Sequence, residues 1–185
     1  MKKQLFAILC LTAIAFNGNA QVKITPAVGL NISNISNAEG TTSKMGLHLG
    51  AYVGFKLSDN LHIQPGLFYS QKGCSFKILN ETTSLKYNYL EIPVNAVYAF
   101  GNSGLSLNAG PYLGMLMSAK WEDLDVKEGM SSMDFGLNIG ASIDLPANLM
   151  LRLQYGMGMA NLDKDGNSKE KNNNFGITLG YRLGN

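Results

Sequence analysis

The sequence has 185 residues, which is room for one domain, and a formal net charge of only +2. Charged residues make up 15% of the chain, against about 25% in an ordinary soluble domain, and 21 residues are glycine. The near-zero mean hydropathy argues against a bundle of membrane helices, the 45% hydrophobic content excludes intrinsic disorder, and the weak charge argues against nucleic-acid binding. The composition is typical of a membrane β-barrel.

The N-terminal segment, residues 1–20, has the pattern of a secretory signal peptide. Two lysines precede an apolar run over residues 5–16, and Ala20 is a small residue at the expected cleavage position. The run is too short for a membrane-spanning helix, which needs about 20 apolar residues. We therefore expect export from the cytoplasm, removal of this segment, and a single barrel domain over residues 21–185.

The remaining chain is predicted to form eight antiparallel strands whose two faces differ. In residues 45–57 every odd position is apolar, whereas the even positions are small, polar or aromatic. This period of two is the signal of a strand with one apolar face, and it recurs along the chain. In chain order, the predicted strands are 22–32, 45–57, 61–74, 86–100, 105–117, 133–145, 149–159 and 174–183.

The predicted connections alternate in length, which is typical of an outer-membrane barrel with short turns in the periplasm and long loops outside the cell. A soluble β-sandwich is the alternative, but its strands average about 5–6 residues and these are roughly twice as long. The short turns are 58–60, 101–104 and 146–148, and the long loops are 33–43, 75–85, 119–131 and 161–173.

Aromatic residues of the apolar face lie near the strand ends, as expected for two membrane interfaces. One belt is predicted toward the short turns and the other toward the long loops. The short-turn belt is Phe55, Tyr98, Phe100 and Tyr181, and the long-loop belt is Tyr69, Trp121, Phe135 and Phe175.

Four stretches of the sequence carry a family resemblance: residues 64–73, Tyr89-Leu90-Glu91-Ile92-Pro93, 109–114 and 134–137. Through them the chain resembles the PorT-like outer-membrane β-barrel family of Bacteroidota, over about residues 22–183. The resemblance implies an eight-stranded barrel. Because some members belong to a protein-secretion and gliding apparatus, it also makes an accessory subunit of such an apparatus an alternative function.

The interior of an eight-stranded barrel is filled by side chains, so we expect no open pore. Buried charges in such a lumen need partners. The turn at 146–148 would make Asp144 the diagonal neighbour of Arg152, and we expect these two to form an ion pair. Glu91 is expected to pair with another lumen base, for which Arg182 is a candidate. Alternation also predicts that several large side chains point inward: Tyr52, Phe68, Tyr89 and Tyr112.

The sequence contains no recognisable catalytic or metal-binding arrangement, and we expect neither a cofactor nor a metal. His48 and His62 are predicted inward but on the order of 25 Å apart, at ~3.3 Å per residue, so they cannot share an ion. The stretch 163–168 has its glycine at the wrong position for a calcium loop. A lipid-modifying outer-membrane enzyme is kept as an alternative.

The loop over residues 119–131 holds Trp121 and four acidic residues. It is either a solvated tip or a docking surface, since binding sites are common on loops held by a rigid scaffold. The sequence thus predicts a non-enzymatic outer-membrane barrel with a structural or loop-mediated binding role. Its expected partners are outer-membrane lipid, the barrel-assembly machinery, and a protein bound at the loops 119–131 and 161–173.

Overall fold

The structure is a computed structural model, and it describes residues 22–38, 40–78, 81–164 and 169–183. The predicted signal peptide lies outside the described residues. Within these four ranges no helix is both long and apolar enough to cross a membrane.

Eight long strands and one two-residue strand make up nearly all of the described chain. A single 3₁₀ turn, Lys127–Gly129, follows the short strand. The strands are β1 Val22–Ser36, β2 Thr41–Lys56, β3 Leu61–Ile78, β4 Glu81–Ala99, β5 Leu105–Trp121, β6 Leu124–Asp125, β7 Met133–Leu145, β8 Leu149–Gly158 and β9 Lys171–Tyr181.

The long strands close into an antiparallel cylinder. Each pairs with the next long strand along the chain, and the first strand β1 also pairs with the last strand β9. Among the described residues, the short strand β6 pairs with the end of β5 alone, as an extension of that strand. Closure removes the exposed edges that an open sheet would present. The predicted fold class, an all-β, eight-stranded antiparallel up-and-down barrel, is confirmed.

The two faces of each strand differ as the alternation predicts. On β7, Leu137 and Ile139 point outward with 48% and 63% of their surface exposed, whereas Asn138 between them points into the lumen and is 3% exposed. Large apolar side chains occupy the outward positions of all the long strands. A continuous apolar surface of this size is unfavourable in water and is typical of a barrel surrounded by lipid.

The hairpin registers also follow the sequence. Ser142 lies opposite Arg152 across the turn at 146–148, and His48 lies opposite Ser70, as the turn lengths predict. A tight turn fixes the register of its hairpin, and a slip of one residue would exchange the apolar and lumen faces. The register is therefore the part of the topology that local sequence determines most strongly.

The predicted loops 33–43 and 75–85 are wrong, because strand structure covers most of both. β1 continues to Ser36 and β2 begins at Thr41, while only two residues separate β3 from β4. Some of the polar residues that suggested loops, such as Thr42 and Ser43, are exposed, whereas others instead line the upper lumen. Ser33, for example, is fully buried and donates a hydrogen bond to the carbonyl oxygen of Gly73, at 3.0 Å. A strand beyond the lipid needs backbone partners but no apolar outer face.

Candidate functional site: the lumen and its two ends

An aromatic layer, which we call the plug, closes the lumen nearer the short turns. Tyr52 and Phe68 are fully buried with ring centroids 4.5 Å apart, and Met150 packs in the same cluster. His48 stacks on the other side of Phe68, with centroids 4.3 Å apart and rings nearly parallel. Gly66 makes room for both rings, since a Cβ there would lie 2.8 Å from Phe68 and 2.9 Å from Tyr52.

A buried ionic cluster lies beyond the plug, toward the loop end. Lys72 Nζ is 2.7 Å from Glu91 Oε2 and 3.6 Å from Asp134 Oδ2, and all three side chains are buried. The ammonium of Lys72 also lies 4.2 Å from the centroid of the Tyr112 ring, where the face of the ring attracts a cation. One positive charge thus faces two carboxylates in a site closed to bulk water.

Hydrogen bonds from neutral donors add to this cluster and connect further strands to it. Tyr112 Oη donates to Asp134 Oδ2 at 3.2 Å, and Asn172 Nδ2 donates to the same oxygen at 3.0 Å. Asn172 Nδ2 also lies 3.2 Å from Tyr89 Oη. The cluster therefore joins β3, β4, β5, β7 and β9 across the lumen, which an ion pair between adjacent strands would not do.

The structure corrects the predicted charge pairs. Glu91 does pair with a lumen base, but the base is Lys72 and not Arg182. Arg182 instead pairs with Asp144 at the short-turn mouth, where both are partly exposed. The predicted pair of Asp144 and Arg152 is wrong, because Arg152 Nη2 reaches across the lumen to Gln64 Oε1 at 2.6 Å. Register places neighbours on a hairpin, but barrel closure decides which side chains meet across the lumen.

The two histidines lie in different surroundings, inside strands β2 and β3. His48 is buried beside the plug with its Nδ1 3.2 Å from Ser70 Oγ. His62 lines the short-turn mouth. No group of three or more metal-ligating side chains occurs among the residues that the structure describes. Most of the calcium-like stretch, residues 165–168, lies outside that part of the chain.

The short-turn mouth, meaning the lumen entrance beside the turns 58–60 and 101–104, opens into a blind cavity of ≈ 280 Å³. Lys23, Lys56 and Arg182 line it, and Arg152 lies at its inner end against the ring of Tyr52. At the rim, Lys56 Nζ is 2.9 Å from Asp59 Oδ1. This hydrogen bond and the lysine charge lower the pKa of the Asp59 carboxyl.

At the opposite end, the two segments predicted as the docking loops pack against each other. Ser131 donates its backbone N–H to the Leu162 carbonyl at 2.8 Å, and Lys164 donates its own to the Gly129 carbonyl at 3.2 Å. Between the segments lies an open depression of ≈ 1380 Å³, which we call the loop-end depression. Its lining combines aromatic, apolar and charged side chains, from residues 121–132 and 161–164.

The aromatic residues predicted for the membrane interfaces all point outward. Trp121 lies farthest toward the loop end, where its ring meets Phe76 edge-on at 5.7 Å. Phe100 and Tyr98 contact each other edge-on at the short-turn end, at 5.3 Å. All but one of the eight are well exposed and Phe55 is half-buried: Phe55, Tyr69, Tyr98, Phe100, Trp121, Phe135, Phe175 and Tyr181.

Sequence reasoning missed Lys72, Asp134 and Gln64 as lumen partners. The sequence did indicate that Lys72 points inward, because it alternates with outward residues on β3 and shares the lumen face with Phe68 and Ser70. Its contacts were not indicated, because Glu91 lies four residues along β4 from the cross-strand partner of Lys72 and Asp134 lies on β7. Gln64 gave no signal, since its contact with Arg152 spans 88 residues of sequence.

Comparison with known proteins supports the fold at low sequence identity. No curated protein matches the chain. Among solved structures, the crystal structure of Neisserial surface protein A is 15% identical, with a TM-score of 0.55 over 88% of this chain and 97% of that one. The backbone structure of Ail, the attachment invasion locus protein of Yersinia pestis, in a phospholipid bilayer nanodisc is a second match. It is 12% identical, with a TM-score of 0.54 over 88% of this chain and 100% of that one.

A second structure of Yersinia pestis Ail, in complex with the heparin analogue sucrose octasulfate, is 15% identical, with a TM-score of 0.53 over 88% of this chain and 99% of that one. These likenesses concern the barrel alone. The model of the outer membrane protein beta-barrel domain matches residues 17–164, which is most of the chain. This protein is a small outer-membrane β-barrel, and it belongs to the outer membrane protein beta-barrel domain family.

Proposed function

We propose that this protein is a non-enzymatic barrel whose loop end binds a partner outside the cell. The observation that carries the proposal is the loop-end depression, which is a shaped surface built from two loops joined by backbone hydrogen bonds. A loop whose only role was to connect strands would need no such pairing. Loops fixed on a rigid barrel are favourable binding surfaces because little conformational entropy is lost on binding.

The apolar residues packed beneath the depression indicate that the site is preformed. Val126 and Met130 pack onto a buried apolar cluster that includes Ile35 and Leu162, and Tyr87 Oη lies 3.5 Å from Met130 Sδ. This cluster also closes the lumen under the loops. The floor of the depression is thereby part of the barrel core, and a bound partner would meet a surface that is already ordered.

The lining of the depression favours a partner with both apolar and charged groups. Trp121 is 41% exposed at its edge, and Asp125, Lys127, Glu128 and Lys164 supply charges of both signs. Exposed tryptophan is enriched among residues that dominate binding energy. Mixed charges favour a folded protein or a peptide over a uniformly charged polymer.

The absence of enzymatic activity is part of the same proposal. A lipid-modifying barrel needs an acid, base or nucleophile at a position that reaches the membrane. The outward positions of residues 45–57 and 133–145 contain no His, Asp or Glu. The lumen charges at Lys72, Glu91 and Asp134 are committed to one another. This favours a structural use of the polar interior.

Membership of the finer PorT-type group, and a role as accessory subunit of its secretion apparatus, remains the second candidate. It is favoured by the Tyr89–Pro93 segment, whose Tyr89 and Glu91 belong to the buried cluster. Purification of the intact barrel from its native outer membranes would test it. Stoichiometric recovery of secretion components, lost when the loop end is altered, would support the accessory role, and recovery of the barrel alone would count against it.

The loop-end proposal is tested by binding to intact cells that display the barrel. Labelled extracellular proteins and peptides are screened against the wild type, against Trp121→Ala, and against Asp59→Asn at the opposite end as the matched control. The expected result is a ligand whose binding falls at least tenfold with Trp121→Ala and is unchanged with Asp59→Asn. Equal binding by all three barrels would contradict the proposal.

A further inference from the structure

We propose that the short-turn mouth is a binding site for a phosphate group. This site lies at the opposite end of the barrel from the loop-end depression and does not depend on the function proposed there. Three observations carry the proposal: a closed-ended cavity, an excess of positive charge in its lining, and a buried guanidinium with unused donors.

The cavity has the size and shape for a small ligand. It encloses ≈ 280 Å³ between the short turns and the plug, and the plug gives it a floor. Polar groups at several heights line the wall, among them Thr25, His62 and Ser106. A blind, polar cavity at the mouth of a sealed barrel serves no transport path through the lumen.

The charges of the lining do not balance. Two carboxylates, Asp59 and Asp144, are each used by one cation, Lys56 and Arg182 respectively. Lys23 and Arg152 remain without a carboxylate of the described residues at ion-pair distance. With His62 neutral, the lining carries two uncompensated positive charges. A phosphate monoester or inorganic phosphate carries about −1.5 to −2 at neutral pH and would neutralise them, whereas a carboxylate would neutralise one.

Arg152 has more unsatisfied buried hydrogen-bond donors than any other described residue that lines the cavity. Its side chain is 1% exposed; Nη2 donates to Gln64 Oε1 and lies 3.9 Å from Met150 Sδ, and the guanidinium carbon lies 4.5 Å from the centroid of the Tyr52 ring. Nε and Nη1 are buried and have no hydrogen-bond acceptor among the residues that the structure describes. Unsatisfied buried donors on a charged group are costly, and the planar guanidinium matches phosphate oxygens with paired hydrogen bonds. His62 Nδ1, on the same wall, is also buried and has no hydrogen-bond partner in the described part of the chain.

The side chain of Gln64 occupies part of the proposed phosphate position. Its amide oxygen accepts from Arg152 Nη2 at 2.6 Å, in the position that a phosphate oxygen would take. The side chain is half-buried and lines the cavity, so it can turn aside without disturbing the plug. Removal of Gln64 should therefore favour binding, whereas removal of Arg152 or Lys23 should oppose it. A merely structural role of these residues would not give opposite signs.

The test is a titration of the folded barrel, in a nonionic detergent, with inorganic phosphate at constant ionic strength set by chloride. Calorimetry should show saturable binding at a single site. Affinity should fall at least tenfold in Lys23→Gln and in Arg152→Gln, rise in Gln64→Ala, and stay unchanged in Lys86→Gln, an exposed position near the loop end that lines neither cavity. If Arg152→Gln does not fold, the opposite effects of Lys23→Gln and Gln64→Ala carry the test.

A second arm distinguishes a free phosphate from a lipid headgroup. A short-chain phosphatidic acid, whose headgroup is a phosphate monoester, replaces inorganic phosphate in the same titration and is kept below its micellar concentration. Tighter binding of the lipid than of inorganic phosphate identifies a headgroup site, and the reverse order identifies a site for the free anion. Either result with the expected variant pattern supports the proposal. Heats equal to the chloride blank for both probes, or affinities that none of the cavity variants alters, would overturn it.

Discussion

Lys72 Nζ lies 2.7 Å from Glu91 Oε2 inside the barrel, although neither residue is the cross-strand partner of the other. The register of β3 and β4 sets Lys72 opposite Tyr87 and Glu91 opposite Phe68. The two side chains therefore reach along the lumen wall to meet, and Asp134 approaches from the far side on β7. A charge buried in this way is stable only with its partners in place.

Lys72→Met should lower the free energy of unfolding by about 3–5 kcal/mol, because it leaves two buried carboxylates without a cation. The double variant Lys72→Met/Glu91→Leu should lose less unfolding free energy than the sum of the losses in the two single variants. The difference, which is the coupling energy, should be about 0.5–3 kcal/mol. Urea unfolding of the detergent-solubilised barrel measures all three variants. Lys56→Met, which breaks an exposed pair at the mouth, is the control and should be close to wild type. Additive losses would mean that the cluster is not an energetic unit.

Leu137→Arg should destabilise the barrel by about 2–4 kcal/mol, because Leu137 points into the lipid near the middle of β7. The matched control is Leu124→Arg, which makes the same change at a 70% exposed position in the short strand beyond the apolar band. Reversible folding into lipid bilayers gives both free energies. Similar costs for the two variants would contradict the assignment of the outer face of β7 to lipid.

Gly73→Ala should cost of order 1–3 kcal/mol, since Gly73 has φ 137° and a Cβ there would collide with the Leu85 carbonyl oxygen of the adjacent strand. Gly129→Ala is the control, because a Cβ at Gly129 meets nothing within 4 Å. The comparison uses the urea midpoint of the folded barrel. A Gly73→Ala barrel as stable as Gly129→Ala would show that the positive φ at Gly73 and its close approach to β4 are not required.

The parts of the fold that sequence predicts are those set by local rules. Alternation determined which side of each strand faces lipid, so Leu137 and Asn138 were assigned correctly. Turn length determined the register of the hairpins, so Ser142 was placed opposite Arg152. Both rules act over a few residues, and neither depends on how distant strands pack in the closed barrel.

The contacts across the lumen that the sequence did not predict form only when the sheet closes into a barrel. Arg152 meets Gln64 and not Asp144, because strand tilt brings β8 and β3 together across the lumen. The polar ends of β1 and β3 read as loops, because a strand that rises beyond the lipid loses its apolar outer face. Lys72 lies within the predicted strand 61–74, but its contacts with Glu91 and Asp134 are set by the reach of the side chains through the lumen and not by the register.

The orientation of the barrel decides whether the loop end can meet an extracellular partner. Single cysteines at Lys127 in the loop end and at Asn102 in a short turn can be labelled with a membrane-impermeant maleimide, and the buried native Cys74 should react little. We predict that Lys127→Cys is labelled on intact cells, whereas Asn102→Cys is labelled only after the outer membrane is breached. Labelling of Asn102→Cys on intact cells, with Lys127→Cys protected until the membrane is opened, would contradict binding at the loop end outside the cell.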